Sequence, residues 1–200
     1  MNTKDAIHAR RAVKHYDAAF TMPDEHLAEL KTLIRQSPTS FNIQNWRFVF
    51  VKDTALRNQI RTAAWDQAQV TDASVLIVLC ADVKAWQKSP ERYWEDAPKE
   101  ASDILVPMIG QFYEGRDWQQ RDEAMRSVGI AAQTIMLSAK SMGYDSCPMI
   151  GFDAEAVGNL INLPKDHVIG MMISVGKAAQ PAQSKGGYLP DEDVFFDNRF

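Results

Sequence analysis

The chain has 200 residues, 46% hydrophobic and 24% charged, with a net charge of −4 at pH 7. That length and apolar share supply one sizeable core and no sign of a second, so residues 1–200 are read as a single globular domain. The negative balance without a long basic run excludes nucleic acid as a general partner, and two distant cysteines, Cys80 and Cys147, with no CxxC and no histidine nearby in sequence, exclude a disulfide framework and a cysteine metal site.

Met1 to Arg11 is polar and charged, unlike a signal peptide, and the expected location is the cytoplasm. Residues 2–13 read as a first helix with Ile7, Ala12 and Val13 as apolar contacts. Arg10, Arg11, Lys14 and His15 bunch at its end. Two readings are open: a solvated helix end whose cations face the dipole, or an anion site, since paired guanidiniums fork onto phosphate oxygens. Asp24 to Gln36 is amphipathic, with Leu27, Leu30, Leu33 and Ile34 at helical spacing behind Pro23. The next segment, Ser37 to Trp46, is rich in hydroxyls and amides. It suits either a heterocycle that presents both donors and acceptors or a loop that satisfies its own backbone.

Residues 47–52 alternate into a strand, residues 54–65 form a second amphipathic helix, and residues 75–81 (VLIVLCA) are a continuous apolar run, the mark of a strand covered on both faces. Residues 84–121 intersperse Trp86, Tyr93, Trp94, Phe112, Tyr113 and Trp118 with charges and read as a helical insertion, either a partner interface or a cover on a pocket. Val128 to Ala139 is almost wholly apolar or small, so it is expected to be a helix buried on all sides, with Gly143 as its C-cap. The segment Asp145 to Asp153 is a loop in which Pro148 and Gly151 let backbone approach a flat ligand. A short helix over 154–161 and a buried strand over 168–175 follow. The tail beyond Gly176 is irregular, with Phe195, Phe196 and Phe200 expected to dock it, a second subunit being one candidate surface.

Three separated motifs carry a resemblance: RRAVK (Arg10 to Lys14), SPTSFN (Ser37 to Asn42), and SAK (Ser138 to Lys140) followed by CPMIGFD (Cys147 to Asp153). In that order, over essentially the whole chain, they resemble the FMN-dependent nitroreductase family, in particular its short bacterial NAD(P)H members. The resemblance implies an α+β fold with a central, mostly antiparallel sheet flanked by helices, built as an intertwined homodimer with FMN sites at the subunit interface. It implies that Arg10 and Arg11 hold the FMN phosphate, that Lys14 sits beside the pyrimidine edge of the ring, and that Gln67 and Gln69 hold the ribityl chain or that edge. Thr39, Ser40 and Asn42 come from the other subunit. Pro148 and Met149 lie against the ring, and the backbone N–H groups of Ile150 and Gly151 point at its reactive nitrogen. Ala12 stands where many relatives carry serine, Gln69 where several carry lysine, and the C-terminal basic pair is reduced to Lys185, with Lys177 as a second candidate. The implied reaction is ping-pong hydride transfer from transiently bound NAD(P)H to a nitroaromatic, a quinone or a related electrophile. No catalytic side chain is named, because the cofactor carries the chemistry, and neither metal nor membrane is expected. The absence of GxGxxG agrees with a donor that has no Rossmann site. A flavin-binding sensor or storage protein without turnover is the alternative.

Overall fold

The computed structural model describes residues 1–200. Its sheet has four antiparallel strands in the order β1-β2-β4-β3: β1 Trp46–Val51, β2 Val75–Asp82, β3 Asp145–Met149 and β4 His167–Gly176. Around it lie α1 Thr3–Ala9, α2 Asp24–Ile34, α3 Thr54–Ala63, α4 Gln69–Asp72, α5 Lys99–Tyr113, α6 Asp117–Ser141 and α7 Ala154–Leu160. No helix is long and apolar enough to cross a membrane.

The apolar run at 75–81 is the middle of the molecule. All of β2 is buried, and its residues alternate between two cores. Ile77 and Leu79 pack with Leu30 and Ile34 of α2 and Ile135 of α6, whereas Leu76 and Val78 pack with Ile60 of α3 and Val157 of α7. Period-two side-chain alternation puts consecutive residues on opposite faces, so a strand between two helix layers must be apolar throughout. A third, smaller cluster joins Ile43 to Tyr93, Ile109 and Tyr113.

Several boundaries differ from the sequence expectation. The first helix ends at Ala9, and Arg10 is already extended. Ala12 instead bridges to Ser146 of β3, with the Val13 N–H on the Ser146 carbonyl at 3.1 Å, so the basic cluster sits on an extended edge segment and not at a helix end. Ile7, expected in the core, is exposed, and Ala6 is buried in its place. The long helix α6 is not covered all round: Gly129, Ile130 and Gln133 are exposed on one side. It stops where expected, with Gly143 at φ 80°. The insertion at 84–121 contains two short 3-10 turns, Ala85–Gln87 and Pro90–Tyr93, before α5, and its last residues belong to α6. The expected loop at 145–153 begins as strand β3 and becomes loop only after Met149.

The insertion is pinned to the sheet by Lys88, whose Nζ lies 2.8 Å from Asp82 and 2.6 Å from Asp166. His167 contacts Asp166 at 2.7 Å, and Arg47 lies 3.5 Å from Asp82, whose side chain is 3% exposed. Asp82, Asp166 and His167 converge as metal ligands would, but the ammonium of Lys88 already bridges the two carboxylates. Lys88 first, then His167, hold the Asp166 carboxyl down at about 2 against an ordinary 3.8. A depressed carboxyl contributes stability that is present above the unfolded value and is lost as pH falls through the folded one. Thermal midpoints are therefore expected to fall between pH 4 and pH 2, with a shallower slope in Lys88→Met; equal slopes in a pH series of melts would refute the assignment.

Candidate functional site

The Arg10–Tyr16 segment is fixed by what alternates inward. Val13 and Tyr16 are buried, Tyr16 pairs with Ala178, and its hydroxyl donates to the Ser174 carbonyl at 3.2 Å. That leaves Arg10, Arg11 and Lys14 on the outer side. No carboxylate lies within ion-pairing distance of any of them. Arg11 donates to the Gln183 backbone carbonyl, so the start of the tail passes over this segment. Burial pushes the Cys147 thiol up, and the charges of Lys14 and Arg10 partly offset the shift, which puts both cations within electrostatic reach of β3. Lys185 lies two residues beyond Gln183, and its ammonium contacts the Tyr188 hydroxyl.

The loop after β3 supplies a second group. Met149 is 4% exposed and packs in the core beside Met172, so its side chain is not available to a ligand; Pro148 is half-buried and Ile150 is 80% exposed. The backbone N–H groups of Ile150 and Gly151 donate to no acceptor in the chain. The loop is tied to the α3–α4 turn by two contacts, the second of which is supported by a third. The Asp153 N–H donates to the Ala63 carbonyl at 2.9 Å, Gln67 Nε2 to the Gly151 carbonyl at 2.7 Å, and Gln69 Nε2 to Gln67 Oε1 at 2.8 Å. Gln67 and Gln69 therefore sit at the loop, and Ala12 reaches β3 through its bridge to Ser146.

Sequence reasoning missed Trp65. It is 69% exposed, takes φ 54° next to Asp66 at φ 59°, and lies over Gly151 so closely that a Cβ there would come within 3.1 Å of the indole. In the sequence it reads only as the last residue of an amphipathic helix. Two consecutive left-handed residues that are not glycine cost energy and tend to mark functional turns, but nothing in residue type announces them.

Thr39, Ser40 and Asn42 form a third group. Phe41, Asn42 and Gln44 all take positive φ, at 50°, 53° and 41°. The turn is held by Thr39 Oγ1 accepting from the Gln44 N–H at 2.9 Å, Asn42 Nδ2 donating to the Tyr93 carbonyl at 2.8 Å, and Trp94 Nε1 donating to the Phe41 carbonyl at 3.1 Å. No hydrogen bond joins this turn to Arg10–Lys14 or to the Ile150–Gly151 loop. The chain thus presents two separate sets of candidate residues, one on the basic segment and the loop after β3, the other on the strained turn at 39–44.

The chain is similar to known proteins along nearly its whole length. Protein DrgA of Synechocystis is 51% identical over 185 residues, spanning 92% of this chain and 88% of DrgA. The oxygen-insensitive NADPH nitroreductase of Helicobacter acinonychis is 30% identical over 91% of this chain and 90% of its own length. Among solved structures, a candidate nitroreductase from Exiguobacterium sibiricum in complex with FMN superposes with a TM-score of 0.91 at 26% identity, covering 99% of this chain and 98% of that one. The Nitroreductase family model matches residues 7–177, a span that takes in the basic segment, the strained turn and the loop after β3, and this chain belongs to that family.

Proposed function

We propose that the protein is an FMN-dependent NAD(P)H oxidoreductase that reduces nitroaromatics, quinones or related electrophiles, donor and acceptor taking turns at one site. The observation that carries this reading is the pairing of uncompensated cations with free backbone donors. Arg10, Arg11 and Lys14 have no carboxylate partner, and the Ile150 and Gly151 N–H groups have no acceptor. A phosphate dianion and the electron-rich edge of an isoalloxazine ring need both kinds of group, so the residues present fit FMN. Arg10 and Arg11 would hold the phosphate. Lys14 would sit at the pyrimidine edge, where a fixed cation stabilises negative charge more strongly than water does. Gln67 and Gln69, already linked to Gly151, would orient the same edge, and the backbone of Pro148 to Gly151 would border the ring. The chemistry that FMN supplies when bound is two-electron: a hydride received from the nicotinamide and delivered to the acceptor. The chain's own part is to bind, orient and polarise, and no side chain needs to move a proton.

The same layout supports a homodimer. Thr39, Ser40 and Asn42 would complete the site of the partner subunit. The tail's exposed Tyr188, Phe195 and Phe200 would dock across the pair, with residues 84–121 covering the site. The first test is the visible spectrum of the purified protein before and after anaerobic addition of NADPH. A flavin band that bleaches is expected. Colourless protein that FMN cannot reconstitute, or bound flavin that neither nicotinamide reduces, would end the enzyme reading.

A further inference from the structure

Beside the strained turn at 39–44 lies a cavity of about 730 Å³, within the range of ligand sites. Only Asn42, at its edge, belongs to the flavin contacts assigned above. Its walls carry Arg35, Arg47 and Arg92 together with Trp46, Tyr93 and Trp94. Arg35 makes no ion pair and no side-chain hydrogen bond. Arg92 lies over the Tyr93 ring at 4.7 Å and donates to the Tyr93 hydroxyl at 2.6 Å, with no carboxylate partner. Arg47 is held by the carbonyls of Gln44 and Trp46 at 2.7 and 2.9 Å and lies 3.5 Å from Asp82, which leaves Arg35 and Arg92 as the two guanidiniums without a carboxylate partner. Glu95 and Asp96 line the same cavity and pair with none of the three.

The aromatic walls are as firmly placed. Trp94 is fixed by its indole N–H on Phe41, and Trp46 stacks on Phe48 at 5.3 Å while donating to the Ser37 carbonyl at 3.3 Å. The half-buried Trp94, fixed in place, offers stacking area to a base at little entropic cost, the guanidiniums of Arg35 and Arg92, which have no carboxylate partner, match a phosphate monoester, and the free carboxylates accept from the remaining ribose hydroxyl or an exocyclic amine. Nitroaromatic and quinone acceptors need no such cations, and inorganic phosphate would leave the rings without a role. We propose that this cavity binds the 2′-phosphoadenosine end of the nicotinamide donor and makes NADPH the preferred reductant. The proposal rests on the oxidoreductase reading above and names its donor.

The test uses flavin-loaded protein and its Arg35→Gln and Arg92→Gln variants, with KM measured for both nicotinamides. In parallel, 2′,5′-ADP, 5′-AMP and inorganic phosphate are titrated against tryptophan fluorescence, a readout that needs no turnover. Expected are a KM for NADPH about tenfold below that for NADH, and a rise of about tenfold in the NADPH value in either variant, the size of one charge-assisted contact at the weak end of its range. The NADH value and the bound flavin should stay as they are, and 2′,5′-ADP should bind about tenfold more tightly than 5′-AMP. Equal KM values with unchanged flavin would overturn the cavity assignment and leave the reductase standing, as would phosphate binding as well as 2′,5′-ADP. If the protein neither holds nor reduces flavin, the oxidoreductase reading fails, while the nucleotide titration still decides what the cavity binds.

Discussion

Replacing Arg10 and Arg11 together by alanine is expected to give folded protein that elutes without flavin. Two charge-assisted contacts to a phosphate dianion contribute about 1.5–3 kcal/mol each, so losing both weakens FMN binding by about two to four powers of ten. Stability should hardly change, because neither guanidinium is in an ion pair and the segment is anchored by Val13 and Tyr16. The Arg11 contact to Gln183 is the one intramolecular bond lost. Equilibrium titration of apoprotein with FMN, alongside a thermal melt, separates the two effects. An unaltered dissociation constant would show that the phosphate lies elsewhere, and a collapsed melt would show that the arginines serve the fold.

Gly170→Ala should be the most damaging single methyl group in the protein. A Cβ at Gly170 would stand 2.4 Å from Cγ1 and 3.0 Å from Cβ of Val128, which is buried in the layer between β4 and α6. The far end of a flexible chain could yield, but a β-branched residue in the middle of a packed helix has nowhere to turn. Overpacking of this kind costs about 2–3 kcal/mol, or about 5–10 °C in melting temperature for a chain of this size. Adding Val128→Ala should recover part of the loss, because it removes the Cγ1 and Cγ2 methyls, at 2.4 and 3.3 Å, and leaves only the Cβ at 3.0 Å. A Gly170→Ala protein as stable as the parent would show that α6 shifts freely on the sheet.

Where the sequence was legible, one periodicity dominated. The all-apolar run of β2 announced a strand covered on both faces, and the spacing of Leu27, Leu30 and Ile34 announced the α2 face that covers it. The helices expected from 54 and 154 start where the sequence places them, and in the structure Asp53 and Asp153 cap those starts by accepting from the Leu56 and Ala156 N–H groups. The basic segment was misplaced onto a helix because nothing local stops α1 at Ala9; it is the distant Ser146 that draws Ala12 into an extended bridge. For the same reason α6 looked evenly apolar although Gly129, Ile130 and Gln133 face outward: composition reports what a helix can bury, not what is there to cover it. In the candidate site, residue types pointed to Arg10 and Gly151 and the family resemblance to Gln67, but the buried state of Met149 and the left-handed turn that displays Trp65 depend on tertiary packing.

The bridge between the basic segment and β3 also bears on timing. Tyr16 meets Ser174 across 158 positions, and Arg11 meets Gln183 across 172. Contacts so remote in sequence carry the full cost of closing the chain before they return any free energy. During synthesis, Arg10 to Lys14 emerges among the first residues and yet has no edge to lie on until β3 and β4 have followed. On the proposed assignment of this segment to the phosphate, capture of the cofactor is one of the last events in the maturation of the chain. A protein truncated before Asp145 would keep every basic residue of the motif and lack the strand edge on which that segment lies.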